Sequence, residues 1–175
     1  ISPVIRLRPG PLRKTRFIVE VQLGNLARYL RMLGFDTAYN REWKSAMLID
    51  LSLSQKRIIL TRNAGVLKQS RVTHGYWLRN HEPLQQLREV LQALDLPGLV
   101  QPFTRCMDCN GLIHKADKAL LRDRVDPDIL QRFKEFSQCR DCRKVFWHGS
   151  HHKHMLSLVD QIVHAQDDPD DGRLS

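Results

Sequence analysis

The chain lacks any apolar run approaching the roughly 18 residues needed to span a bilayer, and its first residues carry no signal-peptide pattern. The expectation is a protein that does not enter a membrane and that works in the cytoplasm. Acid is also scarce: 19 Asp and Glu stand against 28 Lys and Arg, giving a net charge of +9 and a pI of about 9.8. Such an excess makes polyanions the expected partner class, with nucleic acid first among them. No internal repeat is visible. What is present is a chain of 175 residues, 42% apolar and 27% charged, enough for one good core and a small appended module but not for two full domains. It opens on Ile1 rather than Met and reads as a fragment or a trimmed product.

Strand and helix patterns alternate after an N-terminal extension over residues 1–15. FIVEVQ (17–22) reads as a strand. It is followed by LGNLARYLRMLG, in which Leu23, Leu26, Leu30 and Leu33 recur at helical spacing and Gly34 supplies a stop. FDTAY gives a second strand, Ser45 to Gln55 a helix capped by Ser45, and RIILT (57–61) a third strand whose apolar run ends in Thr61, Arg62 and Asn63. A short helix fits residues 64–69, VTHGYWL reads as a fourth strand, and Pro83 opens a helix with Leu84, Leu87, Val90, Leu91 and Leu94 on one stripe. This alternation predicts a parallel sheet covered on both faces, with ligands at the carboxyl ends of its strands. Glu20 and the Thr61–Arg62–Asn63 group both fall near such ends. The two prolines and the glycine of LDLPGLVQPF mark a boundary, so the α/β domain is expected over 16–96 and a second module over 102–160. Residues 161–175 read as an acidic, disordered tail.

The second module carries two C-x-x-C knuckles, Cys106 with Cys109 and Cys139 with Cys142. A two-residue gap lets both sulfurs of a turn face one ion, and two such turns complete a closed tetrahedral zinc site. Free thiols or disulfides are the alternatives, the latter disfavoured in a cytosolic chain. Four cysteines leave no open position, so the zinc is expected to be structural. The 29 residues between the pairs exceed ordinary ribbon spacing, and DPDILQRFKEF is expected to fill part of the gap as a helix. Beyond the second knuckle, VFWHGSHHKHM sets four histidines beside Phe146 and Trp147. It reads either as a nucleic-acid surface, with Trp147 stacking and His151 meeting phosphate, or as a plain strand followed by a polar helix start.

Taken together, RFIVEVQLGNLARYLRMLGFDTAY, RIILTRNAGVLK, RCMDCNG and CRDCRKVFWHGSHHKHM resemble the Mut-seven C-terminal ribonuclease family from about Arg16 to Met155. The resemblance implies an α/β fold, a PIN-like parallel sheet with helices on both faces, followed by a small zinc-ribbon module. It also implies that a small ubiquitin-like domain precedes Ile1 in the longer protein. The family's activity rests on carboxylates at strand ends that hold Mg²⁺ or Mn²⁺, which activates a water for attack on a phosphodiester. Here the matching positions depart from that pattern. Glu20 stands for an Asp, Ser45 for an acid with Glu42 nearby as a substitute, and Asn63 for the Asp of Thr-Arg-Asp.

Mg²⁺ is held through carboxylates, waters and phosphates in near-octahedral geometry. At an effective dielectric of about 20, each carboxylate lost beside a divalent ion removes several kcal/mol of gross attraction. The candidate catalytic residues are therefore Glu20, Glu42 and Asn63, with Mg²⁺ or Mn²⁺ expected to bind weakly. Basic residues persist where phosphate would sit: Asn25, Arg28 and Arg31 on the polar stripe of the first helix, and Arg62, Lys68 and Arg71 after the third strand. The preferred reading is an RNA-binding protein with a weakened nuclease site. An active metal-dependent ribonuclease using Glu20 and Glu42 is the alternative, and a zinc-ribbon protein-interaction module a third.

Overall fold

A computed structural model of the chain describes residues 5–6 and 14–164. The chain divides into two compact units, Ile1–Asn110 and Gly111–Ser175. In the first, β2 (Arg16–Val19), β3 (Asp36–Ala38), β4 (Ile58–Thr61) and β5 (His74–Trp77) are parallel, and β1 (Ile5–Arg6) adds to β5 in antiparallel sense. The strand order is β1-β5-β4-β2-β3. Of the expected N-terminal extension, Ile5 and Arg6 thus join the sheet.

The register pairs Ile18 with Ile59 and Val19 with Leu60. Because successive side chains point to opposite faces, the two faces can be assigned from a few contacts. Ile18 and Ile59 pack with Leu48 and Ile49 of helix α2 (Ser45–Ser54), with Val66 of the short helix α3 (Ala64–Leu67) and with Val72. Phe17, Val19, Ile58 and Leu60 therefore face the other way, toward helices α1 (Gly24–Met32) and α4 (Pro83–Ala93), which pack on each other. The stripe Leu23, Leu26, Leu30 and Leu33 is buried, as its spacing requires. Gly34 ends α1 at a φ of +91°, and a β-carbon there would stand 2.3 Å from the Gln101 carbonyl oxygen.

That contact explains why the first unit extends beyond the Pro/Gly-rich boundary in the sequence. Past it, the backbone N–H groups of Gln101 and Phe103 donate to the carbonyls of Leu33 and Met32 at 2.9 and 3.0 Å, so the segment to Asn110 packs back onto the end of α1.

The second unit is an antiparallel sheet of β6 (Ile113–Ala116), β7 (Phe136–Cys139) and β8 (Val145–Trp147), in that order. Leu121, Val125 and Phe136 form its small core, with Phe133, Val145 and Trp147 packed against them. Helix α5 occupies only Pro127–Arg132, because Phe136 is drawn into β7 as a buried residue and the helix expected over DPDILQRFKEF stops short. Helix α6 (Ser150–His164) follows β8 and runs past residue 160, into the segment read as tail; residues 165–175 lie outside the described residues.

Candidate functional site

The crossover from β3 to β4 passes to the opposite side of β2, so β2 and β4 flank the topological switch point of the sheet, where a crevice opens at the strand ends. Glu20 follows β2 and the Thr61–Arg62–Asn63 group follows β4, and the structure brings them together. The Thr61 hydroxyl donates to Glu20 Oε2 at 2.6 Å and accepts the Asn63 N–H at 2.9 Å, while the Arg62 N–H approaches the same carboxylate oxygen at 3.4 Å. Thr61 is fully buried. A buried hydroxyl used as both donor and acceptor fixes the Glu20 rotamer and the start of the next turn together.

Asn63 is the N-cap of α3, and its Oδ1 accepts the Gly65 N–H at 2.9 Å. An amide offers one neutral oxygen, so the atom through which Asn63 would ligate a metal is already shared with the cap. Ser45 is the first residue of α2 and makes no capping bond; the cap position is Lys44. That corrects the expected Ser45 cap. Glu42 lies exposed between β3 and α2, its N–H donating to Asn40 Oδ1 at 2.9 Å, and no contact joins its carboxylate to Glu20 among the described residues.

Beside this network an open cleft is lined by Gln22, Asn25, Leu26, Arg62, His81 and Gln86, together with Leu23 and Pro83. The Arg62 guanidinium lies against the His81 ring, with its second amino nitrogen 3.0 Å from His81 Nε2, and its Nε has no hydrogen-bond partner among the described residues. No carboxylate pairs with it among the described residues. Gln86 is buried and donates to the Asn80 and His81 carbonyls at 3.0 and 3.4 Å, which holds the loop bearing His81. Neither His81 nor Gln86 is signalled in the sequence, since one sits in a loop and the other on a helix beside leucines.

The other residues expected to meet RNA are dispersed. Lys68 is exposed at the end of α3, Arg71 pairs with Asp50, and His151 is exposed in the first turn of α6. Arg28 pairs with Asp108. One expected residue is buried. Arg31 is only 5% exposed, and its guanidinium donates to the carbonyls of Thr37, Met107 and Asp108 at 2.9, 3.0 and 3.2 Å, so it secures the first cysteine knuckle rather than facing solvent. Burial pushes its pKa down, and the neighbouring Cys109 and Cys106 oppose the shift. Trp147 is partly buried and packs against the small core of the second unit, its ring 6.2 Å from that of Phe136.

The first knuckle is pinned to β3 by a further network. Asn110 Nδ2 donates to Asp36 Oδ1 at 2.8 Å while Asn110 Oδ1 accepts the Thr37 N–H at 3.0 Å. Arg57 bonds the same Asp36 oxygen at 2.7 Å. Burial alone would raise the Asp36 pKa, but the hydrogen bonds from Arg57 and Asn110 and the charges of Arg57 and Arg105 outweigh it and hold the carboxyl below its ordinary value.

The sulfur-bearing atoms of Cys106, Cys109, Cys139 and Cys142 all lie within 4.8 Å of one another. A Zn–S bond of about 2.3 Å sets tetrahedral sulfur separations of roughly 3.8 Å, so the four thiols fit such an ion. The knuckles share a positive φ one residue after the second cysteine, at Asn110 and Arg143, but close by different bonds: the Asn110 N–H donates to the Cys106 carbonyl, and the Cys139 N–H to the Lys144 carbonyl, each at 2.9 Å. Gly111 follows, where a β-carbon would stand 2.6 Å from Cys139 Sγ. Among the described residues, no other group of three or more His, Cys, Asp or Glu side chains is placed to hold a metal ion.

A parallel sheet with an acid at its switch point, joined in one chain to a four-cysteine cluster able to hold a metal ion such as zinc, fits a nuclease-like α/β domain. The chain matches the Mut7-C RNAse domain over residues 15–159 and belongs to that family. Comparison with curated proteins and with solved structures found no match.

Proposed function

We propose that this chain binds RNA at the sheet's switch point without cleaving it efficiently, and that its four cysteines hold a structural zinc. One observation carries the reading: the cleft presents the Arg62 guanidinium with no carboxylate partner among the described residues, while the adjacent strand ends offer one carboxylate, Glu20, already bonded through Oε2. A planar guanidinium suits a phosphodiester oxygen pair, and Asn25 and Gln22 add neutral donors along the same wall. Lys68 extends the basic character after α3.

The strand-end residues do not make the carboxylate set that Mg²⁺ or Mn²⁺ requires. Ser45 brings only a hydroxyl, Asn63 only a neutral oxygen that also caps α3, and Glu42 stands exposed in its loop. The alternative, metal-dependent cleavage through Glu20 and Glu42, draws support from Glu20 Oε1, which accepts no hydrogen bond among the described residues. Cysteine thiolates provide the soft donor set that favours zinc over hard cations.

The test is binding and cutting of labelled single-stranded and hairpin RNA by the purified protein in Mg²⁺, Mn²⁺ or EDTA, beside Arg62→Ala and Glu20→Ala. Binding that falls steeply with salt, with a slope reduced by about 1 in Arg62→Ala and no cutting, is the expected result. Metal-dependent cutting abolished by Glu20→Ala would establish the nuclease reading instead. Weak binding indifferent to salt would favour a protein-interaction module.

A further inference from the structure

Trp77 ends β5 as the register neighbour of Thr61 and is 44% exposed. By strand alternation it shares a face with Gly75 and Thr61, and Thr61 carries Glu20 on its hydroxyl. Neighbouring parallel strands lie about 4.8 Å apart, so Glu20, Thr61 and Trp77 form a row across three strand ends. The indole Nε1 donates to the Arg62 carbonyl at 3.0 Å. Its only polar atom is therefore satisfied inside the protein, and the ring is fixed with apolar surface turned to solvent. The backbone that holds it belongs to the residue whose guanidinium enters the cleft.

Scattered exposed apolar side chains are ordinary and need no function. Leu120 and Leu99 are more exposed than Trp77, yet neither is a flat aromatic ring, tethered by a hydrogen bond, in the row of strand ends that holds the acid of the site. A tethered ring loses little freedom when a base lies on it, and base–aromatic stacking tolerates any sequence because every base has a π-face.

We propose that Trp77 is a stacking platform for an unpaired RNA base, at the far end of the strand-end row that begins with Glu20, so that the backbone of the same RNA strand continues toward Arg62. This rests on the RNA-binding reading and narrows it to single-stranded segments, because a paired base has no free face to offer. Duplex RNA would gain nothing from the ring.

The experiment measures binding of a labelled single-stranded oligouridylate, and of an abasic ribose-phosphate oligomer of the same length, to wild type, Trp77→Ala and Trp77→Phe. Trp77→Ala should weaken oligouridylate binding by about tenfold, leave its salt slope unchanged and leave the abasic oligomer unaffected. Trp77→Phe keeps a π-face and loses only the Nε1 bond, so it should stay within about threefold of wild type. Equal affinity of Trp77→Ala and wild type for oligouridylate overturns the proposal and spares the RNA-binding reading. So does an equal loss in Trp77→Ala and Trp77→Phe, or a loss that the abasic oligomer shares. No RNA binding by the wild type overturns both. Should Trp77→Ala fail to fold, fluorescence decides: oligouridylate should quench wild-type tryptophan emission, and that quenching should vanish in Trp77→Phe at saturating ligand. Quenching that persists there overturns the proposal.

Discussion

Substitution of Asn63 separates what this residue does for the fold from what an acid there would do for chemistry. Its Oδ1 accepts the Gly65 N–H at 2.9 Å and caps α3, while its own N–H is bound to Thr61 Oγ1. Asn63→Ala removes the cap acceptor and leaves the Gly65 N–H to solvent, a loss of about 1 kcal/mol. For a unit of about 100 residues that corresponds to a fall of roughly 4–8 °C in Tm, and the lower end is expected because α3 is short and exposed at its start. Asn63→Asp retains an acceptor of equal capping quality and adds negative charge at the N-terminus of α3, so its Tm should stay within a degree or two of wild type. The aspartate also has a second oxygen, free of the cap, that faces no such commitment. Paired with Ser45→Asp, it should therefore bring in or raise Mn²⁺-dependent RNA cleavage, which Glu20→Ala should remove. Thermal melting and a gel assay with Mn²⁺ or EDTA read the two effects independently. If Asn63→Ala melts with wild type, or Asn63→Asp falls as far as Asn63→Ala, the capping argument is refuted. If the charge-restored double variant folds and binds RNA but never cuts, charge is not what the site lacks.

Asp36 should give the first unit an acid-sensitive stability. Its pKa is held below the unfolded value of about 3.9, so its contribution is complete above that value and is lost as pH falls through the lower folded one. Denaturant unfolding at a series of pH values should show that slope in wild type and not in Asp36→Asn, which also strands the Arg57 side chain, only 11% exposed, without its carboxylate. Gly111→Ala should cost metal, because the new β-carbon collides with Cys139 Sγ at 2.6 Å; metal analysis should give substoichiometric zinc, and a full complement would refute the close approach. Arg31→Ala should destabilise the protein by about 3 kcal/mol, since it leaves three carbonyl oxygens without their charged donor. Arg31→Lys should recover little, as it lacks the planar fork, and a melting profile equal to wild type in either variant would show the bonds to be dispensable.

How far the sequence could be read depended on whether the signal was local. Periodicity located each strand of the parallel sheet and the apolar stripe of α1, because those patterns are dictated by burial on one face. The meeting of Glu20 with Thr61 and Arg62 followed from strand-end logic alone. The cysteine spacing announced a cluster, since two residues between thiols is already a geometric statement. Arg31 was misread for the opposite reason: nothing near it in sequence reveals that Met107 and Asp108 would come to bury it. The sequence around Trp147 leaves a surface and a plain strand equally open, and its neighbour Phe136, from the preceding strand, is not adjacent to it in sequence. His81 joined the cleft through a loop that Gln86 secures, a tertiary arrangement with no sequence pattern of its own.

The pinning of the first knuckle also covers part of an open sheet edge. β3 is a terminal strand of its sheet, and an open strand edge invites pairing with another chain. Here both main-chain groups of Thr37 are occupied by side chains, the N–H by Asn110 Oδ1 and the C=O by Arg31 Nε. These side chains act as a substitute for a further strand, and the knuckle that bears Asn110 and accepts from Arg31 is the one whose cysteines offer themselves to metal. Loss of zinc would then loosen a guard over an adhesive edge as well as the ribbon, so chelation should raise light scattering from the protein before its α/β core unfolds.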